Sequence, residues 1–216
     1  MRLSLQFPLT LILAALMGSA RADVVYDNLA NSNSSSADFN NLPGCAQSFV
    51  NTAGGTAGIN SIVLNLFRTG TGTGTFSVQV WSATATKPTS KLATLLTANW
   101  ADVSTAKTTP FTADSSAFTS EGQALQLAAG TTYWLAVVTG SSGQNFWAQG
   151  ANANNGQISG SSSSNPTTSA AWSDATSGSS LGGQITVSVP EPGTLALAAT
   201  LLAMAPVLRR LKRARR

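Results

Sequence analysis

The chain has 216 residues, is 43% hydrophobic and only 9% charged, carries a formal charge of +4 and contains no histidine. Without an imidazole there is no Ser-His-Asp triad, no His-paired cysteine nucleophile and no His-ligated zinc. A pI near 9.7 would point to nucleic acid or an acidic membrane as partner, but the cations are gathered at the two ends.

Met1-Arg2 is a short positive start, Leu3–Met17 is largely apolar, and Ala20-Arg21-Ala22 places small residues around a cleavage position. That order is the pattern of a secretory signal peptide spanning residues 1–22, with signal peptidase as partner and Asp23 as the new N-terminus. A retained N-terminal anchor is the alternative, and the apolar run is short for it. The body that follows, Asp23–Val189, holds only Arg68, Lys87, Lys91 and Lys107 as cations. Against them stand Asp23, Asp27, Asp38, Asp102, Asp114, Glu121 and Asp174, so the body is net acidic. No Lys/Arg stripe is available to a phosphate backbone, and nucleic acid is not an expected partner.

Through the body the apolar pattern has period two. Val24–Tyr26 and Cys45–Val50 open the set, followed by Ile59–Phe67, Thr75–Trp81, Leu92–Leu96, Ala124–Leu127 and Thr132–Thr139. Phe146–Gln149 and Gln184–Val189 close it. About nine short strands separated by Gly, Ser, Asn and Pro predict an all-β fold, an antiparallel jelly-roll-like β-sandwich without internal helix. Gly70-Thr-Gly-Thr-Gly74 is a strand connection; no Lys-Ser/Thr follows it, so it is not a phosphate loop. Ala129-Gly130 is a tight turn. Asn31–Ser36 and the Ser-rich 159–180 are too polar to offset their ordering entropy, which predicts surface loops, the second flexible.

Candidate sites in the body are few. In Thr75–Trp81, Phe76, Val78 and Val80 occupy one face, which leaves Trp81 on the other as a candidate glycan contact. Core packing is the alternative reading for every tryptophan here; Trp134 and Trp147 lie in strands, Trp100 and Trp172 in polar surroundings. Asp102, Asp114 and Glu121 fall in the turn-rich Asn99–Gln123 and could supply paired carboxylates to a glycoside hydrolase, though surface solvation explains them more simply. Asp27 with Asn28, or Asp38 with Asn40 and Asn41, could offer oxygen to calcium. Neither has a spaced Asp-x-Asp-x-Asp loop, so no metal and no cofactor is expected. Cys45 has no internal partner for a disulfide; within Cys45–Val50 it fits a small buried hydrophobe better than a reactive thiol or an intermolecular link.

A resemblance follows from Val78-Gln-Val-Trp-Ser82, Lys87-Pro88, Leu92-Ala-Thr-Leu95, the run Leu125–Leu135, and Phe146-Trp147. Over about Val24–Gln149 this is similar to the choice-of-anchor sandwich domains of bacterial surface proteins. It implies a fold and a surface role, and no reaction.

The C-terminal segment, 190–216, carries a second address. Pro190-Glu191-Pro192 cannot continue a helix or a central strand, because proline lacks the N–H and fixes φ. The apolar Thr194–Leu208 falls short of the about 20 residues of an ordinary spanning helix. Gly193 and the snorkelling stems of Arg209 and Arg210 extend it to a marginal span, suited to a transient anchor. Arg209, Arg210, Lys212, Arg213, Arg215 and Arg216 hold that end in the cytoplasm. The arrangement resembles the sorting signal of PEP-CTERM proteins. The resemblance implies processing by an exosortase-type membrane protease-transpeptidase in a Gram-negative bacterium, with release to the cell surface or exterior. A plain C-terminal anchor leaves the Pro-Glu-Pro unexplained, a lipid-anchor signal needs no basic tail, and Leu-Pro-x-Thr-Gly is absent. The expected function is that of a non-enzymatic surface or matrix protein beside exopolysaccharide, in a biofilm setting. The alternatives are a carbohydrate-binding module for that polysaccharide and, third, a carboxylate-dependent hydrolase.

Overall fold

The computed structural model describes residues 21–29, 35–38, 44–69, 73–83, 86–139, 145–150, 157–160, 172 and 180–189. Ala22–Ser188 form one compact unit, and the fold below is that of this unit. The strands are β1 (Arg21–Asp27), β2 (Ser35–Asp38), β3 (Gly44–Val50), β4 (Gly58–Leu64), β5 (Leu66–Arg68), β6 (Thr75–Ala83) and β7 (Pro88–Asn99). After them come β8 (Phe111–Asp114), a short helix α1 (Ser120–Ala124), β9 (Thr132–Thr139), β10 (Asn145–Gly150), β11 (Gln157–Gly160), β12 (Ser180–Leu181) and β13 (Gly183–Val189). For β2, β10, β11 and β12 only the backbone is described.

Three sheets result. The first has the order β1-β13-β4-β8, the second β11-β3-β9-β6-β7, and the third β12-β10-β2 with β5 also on β10. The registered ladders are antiparallel. Asn28 N donates to the Gly183 carbonyl at 2.8 Å, and Gln184 Nε2 to Asp27 Oδ2 at 3.0 Å. The end of β1 therefore meets the start of β13, the two strands run antiparallel, and Ala22 and Ser188 lie at the same end of their sheet.

The first two sheets pack face to face, as a sandwich does. Ile62 and Leu64 of β4 alternate inward, Ile59 joins them across a register shift in the ladder, and Ile185 and Val187 of β13 lie with them, all buried. Across the core, Phe76 of β6 stands edge-on to Phe111 of β8, with ring centroids 5.3 Å apart. Phe76 also touches Trp100 at 4.6 Å. Cys45 forms no disulfide and is wholly buried on β3, as a small hydrophobe would be. The two sheets differ in their outer faces. Along β4, Ser61 and Val63 remain partly exposed, whereas every residue of β9 after Thr132 is buried. A strand without solvent on either side loses its alternation and becomes a continuous apolar run.

Several boundaries differ from the expected ones. The run Ile59–Phe67 is two strands, because buried Asn65 turns its N–H to the Gly182 carbonyl at 2.9 Å. Beyond that break, Leu66–Arg68 pair with β10. Ala124–Leu127 is not a strand: Ala124 ends α1, and Leu127 makes only an isolated bridge to Ala57. The body is not free of helix, since Thr119 accepts from Gly122 N at 3.1 Å and starts a single turn. Five residues are too few to show a 3.6-residue period. Leu92–Leu96 extends to the whole of Pro88–Asn99. Part of Asn31–Ser36 is strand, since Ser35 and Ser36 begin β2. The Ala129-Gly130 turn is present, with Gly130 at φ 68°.

Candidate functional site

The outer face of the five-stranded sheet holds the most unusual chemistry in the body. Trp81 and Trp134 are directly opposed in the β6–β9 register. Around them lie Ala46 of β3, Ala136 and Val138 of β9, and Trp172 from the connection between β11 and β12, all buried in one cluster. Trp172 stands edge-on to Trp81, centroids 5.7 Å apart and planes at 80°.

Trp81 therefore does not face solvent. Its exposure is 0%, and its Nε1 donates to Gln79 Oε1 at 3.0 Å. Gln79 is fixed in turn, its Nε2 donating to Ser77 Oγ at 2.8 Å. The expectation of an outward glycan platform at Trp81 is corrected: a ring with no accessible face cannot stack on a sugar. The alternation in Thr75–Trp81 identified two faces correctly, but both are covered. Trp100 and Trp172, expected in polar surroundings, are also buried, at 0% and 3%. Trp100 Nε1 finds an acceptor in Thr139 Oγ1 at 3.1 Å.

Two indoles of the cluster find none. Trp134 Nε1 and Trp172 Nε1 are buried without a hydrogen-bond partner. An unmade buried bond costs about 1–3 kcal/mol, while burying an indole of about 200 Å² gains about 5 kcal/mol at 25 cal/mol/Å². Burial of the rings wins, and the polar deficit persists. No periodicity in the Ser-rich segment signals Trp172; a lone large aromatic among serines was the only clue.

The acidic residues have local structural duties. Asp114 Oδ1 accepts from Ser116 N at 2.9 Å, starting the 3-10 turn Ser115–Ala117. The Ser116 hydroxyl, then its amide, hold the Asp114 carboxyl below the ordinary aspartate value. Glu121 Oε2 accepts from Thr94 N at 3.2 Å, and Asp102 Oδ2 from Asn99 Nδ2 at 3.5 Å. A shallow groove of about 300 Å³ runs along β4 and β8 past Ser61, Thr112 and Asp114; its one carboxylate is occupied as a cap. Asp27 is engaged through both oxygens, by Leu29 N at 3.2 Å and by Gln184. Among the described residues no three His, Cys, Asp or Glu gather as a metal site.

The expected address residues fall elsewhere. Ala22 lies in β1. Residues 1–20 of the signal peptide, Ala20 included, Pro190-Glu191-Pro192, Thr194–Leu208 and the cluster Arg209–Arg216 lie outside the described residues, as do Asn40 and Asn41 and most of 159–180. No helix among the described residues is long and apolar enough to cross a membrane. No protein-family model matches the chain, and no curated protein matches it in sequence.

Proposed function

We propose that the chain is an exported surface protein whose β-sandwich body, of jelly-roll-like kind, is displayed outside a Gram-negative cell after both ends are removed. In this reading signal peptidase cuts after Ala22. The segment Thr194–Leu208 then holds the chain briefly in the inner membrane, and an exosortase-type protease-transpeptidase cuts at Pro190-Glu191-Pro192. The body serves as a structural or interaction module in the extracellular matrix beside exopolysaccharide, without an enzymatic role.

The observation that carries the reading is the order of three elements at the C-terminus, with Pro-Glu-Pro, apolar run and basic cluster following directly on Val189. The placement of β1 beside β13 supports it. Ala22 and Ser188 are at one end of one sheet, so a body tethered by either terminus presents the same end to the membrane. Asp114 is engaged as a cap, Glu121 by the Thr94 amide and Asp102 by the Asn99 side chain, which weighs against a hydrolase. A carbohydrate-binding role has no platform at Trp81, and its remaining support is the pair of unpartnered indoles.

The test is a C-terminally tagged chain expressed in a Gram-negative host with and without an exosortase. Loss of the tag only when the enzyme is present supports the proposal. Retention of the tag in both hosts makes the chain a simple membrane-anchored protein.

A further inference from the structure

We infer that the body is closed into a ring: the carbonyl freed when the sorting motif is cut passes to the α-amine of Asp23, joining β13 to β1. The inference rests on the export reading of both ends and deepens it by naming the acceptor of the transpeptidation. β13 has β4 on one side and β1 on the other. β1 and β13 meet through the Asn28–Gly183 and Gln184–Asp27 bonds. Counting back from Asp27 and on from Gln184 brings Asp23 level with Ser188. The register shift at Thr186/Val187 does not disturb this count, because the extra residue there is Asn60 of β4. Neighbouring strands lie about 4.8 Å apart, so the N-terminus left by signal peptidase stands beside Ser188.

Two antiparallel neighbours whose ends lie level are a hairpin that lacks its loop. A cut after Glu191 or after Pro192 leaves Val189 and the retained motif residues to bridge Ser188 and Asp23. The loop so made has about three or four residues, within the usual range for hairpins. Proline is favoured at the second position of a type I turn, the turn around which four-residue hairpin loops are most often built. The motif thus has a second use, as the turn of the closed hairpin.

The step exchanges one peptide bond for another and consumes no water. The enzyme's nucleophile attacks the carbonyl of the last retained residue, the bond to the next residue breaks, and the tail leaves with a protonated amine. The Asp23 α-amine then attacks the acyl carbon, a peptide bond forms, and the released nucleophile takes back a proton. An α-amine titrates at about 7.7–8.0, so a fraction of it is neutral and nucleophilic at neutral pH. Ends joined by one short body meet at an effective concentration on the order of millimolar, which amines of other molecules must match. Rival amines of the body lie elsewhere. β1, β4, β8 and β13 contain no lysine. Lys87 precedes β7 and Lys91 lies on it, in the five-stranded sheet, and Lys107 sits over the Phe67 ring at 4.9 Å.

The experiment expresses the full chain in a Gram-negative host that carries an exosortase and collects the body from the cell surface and the medium. Intact mass, N-terminal sequencing and peptide mapping are read on the same material. The expected product lacks the tail, is lighter than the linear body by one water and gives no N-terminal sequence. It also yields a peptide in which Glu191 or Pro192 is followed directly by Asp23-Val24-Val25. Loss of the tail with Asp23 still a free N-terminus overturns the ring and leaves the sorting reading standing, whether the new C-terminus is a free carboxyl or carries a foreign group. Multiples of the body mass, from copies joined end to end, overturn the ring in the same way, because β1 would then serve a neighbour. A tail retained on all the material overturns both readings.

Discussion

A buried indole with a paired N–H is held by its ring and by its hydrogen bond together, and Trp81 is the clearest instance in this chain. Trp81→Ala opens a cavity beneath Trp172 and strips Gln79 Oε1 of its donor. We expect a loss of about 3–5 kcal/mol, the range for aromatic-to-alanine changes in cores, measured by urea denaturation. A loss below about 1 kcal/mol would return Trp81 to the surface. Asp114 tests the opposite situation, an exposed carboxylate held by short-range bonds. The Ser116 hydroxyl and amide favour its charged form, so its folded pKa lies below the ordinary 3.8. The contribution to stability is present above 3.8 and is lost as pH falls through the lowered value. An NMR titration should find the Asp114 midpoint below that of an unstructured aspartate, and Ser116→Ala should move it back up. An unshifted midpoint in the unaltered chain would mean that the cap is not formed in solution.

At the scale of elements, α1 matters because it closes an edge. β7 is the last strand of its sheet, and an open edge invites pairing with other chains. Thr119 N donates to the Leu95 carbonyl at 2.6 Å, Thr119 Oγ1 donates to the Thr94 carbonyl, and Glu121 accepts from Thr94 N. One helical turn thus satisfies the middle of the exposed strand. Gly122 permits the approach, since a Cβ there would sit 2.9 Å from Leu95 Cα. In an open helix Gly→Ala gains up to about 1 kcal/mol; here the clash is with backbone, and overpacking of about 1–3 kcal/mol wins. Gly122→Ala should therefore lower the melting temperature and increase self-association in light scattering. An unchanged or raised melting temperature would show that α1 does not press on β7. Such a device is hard to foresee from sequence, because α1 has no period and its purpose is a strand 25 residues away from Thr119. The central strands were legible for the converse reason: Thr132–Thr139 is a run that only burial on both faces explains, and Gln184–Val189 alternates apolar with polar residues. β8 was not, since Phe111-Thr-Ala-Asp114 has one large apolar residue and acquires its strand identity from the β4 ladder. The same limit applied to the site. The sequence marks Trp81 as lying opposite Phe76, Val78 and Val80, but the covering ring comes from a residue 91 positions later, and no local pattern reports that.

At the scale of the whole molecule, the two ends are the part of the sequence with the most specific content, and the fold gives them a common exit. β13 lies between β1 and β4, so the strand leading into Pro190 is interior to its sheet, not an edge. Proline cannot supply the ladder N–H that such a position needs, and the sheet must end at Val189. A cut after the motif therefore leaves every strand of the sandwich intact. On the proposed reading, Thr194–Leu208 brings the motif to the outer face of the inner membrane and the cations from Arg209 onward oppose passage, since moving each through hydrocarbon costs about 2.5–3.5 kcal/mol. We expect native surface material to lack Thr194–Arg216 by intact-mass analysis. Replacing Pro190, Glu191 and Pro192 together by alanine should leave the uncut chain in the membrane fraction. Because β13 ends before the substitution, the body of that variant should keep the circular dichroism and melting temperature of the unaltered body. A variant that accumulates uncut but folded separates recognition of the motif from stability of the sheet. A variant cut normally shows that Pro-Glu-Pro is an ordinary turn, and a basic tail still present on native material shows that the chain remains anchored.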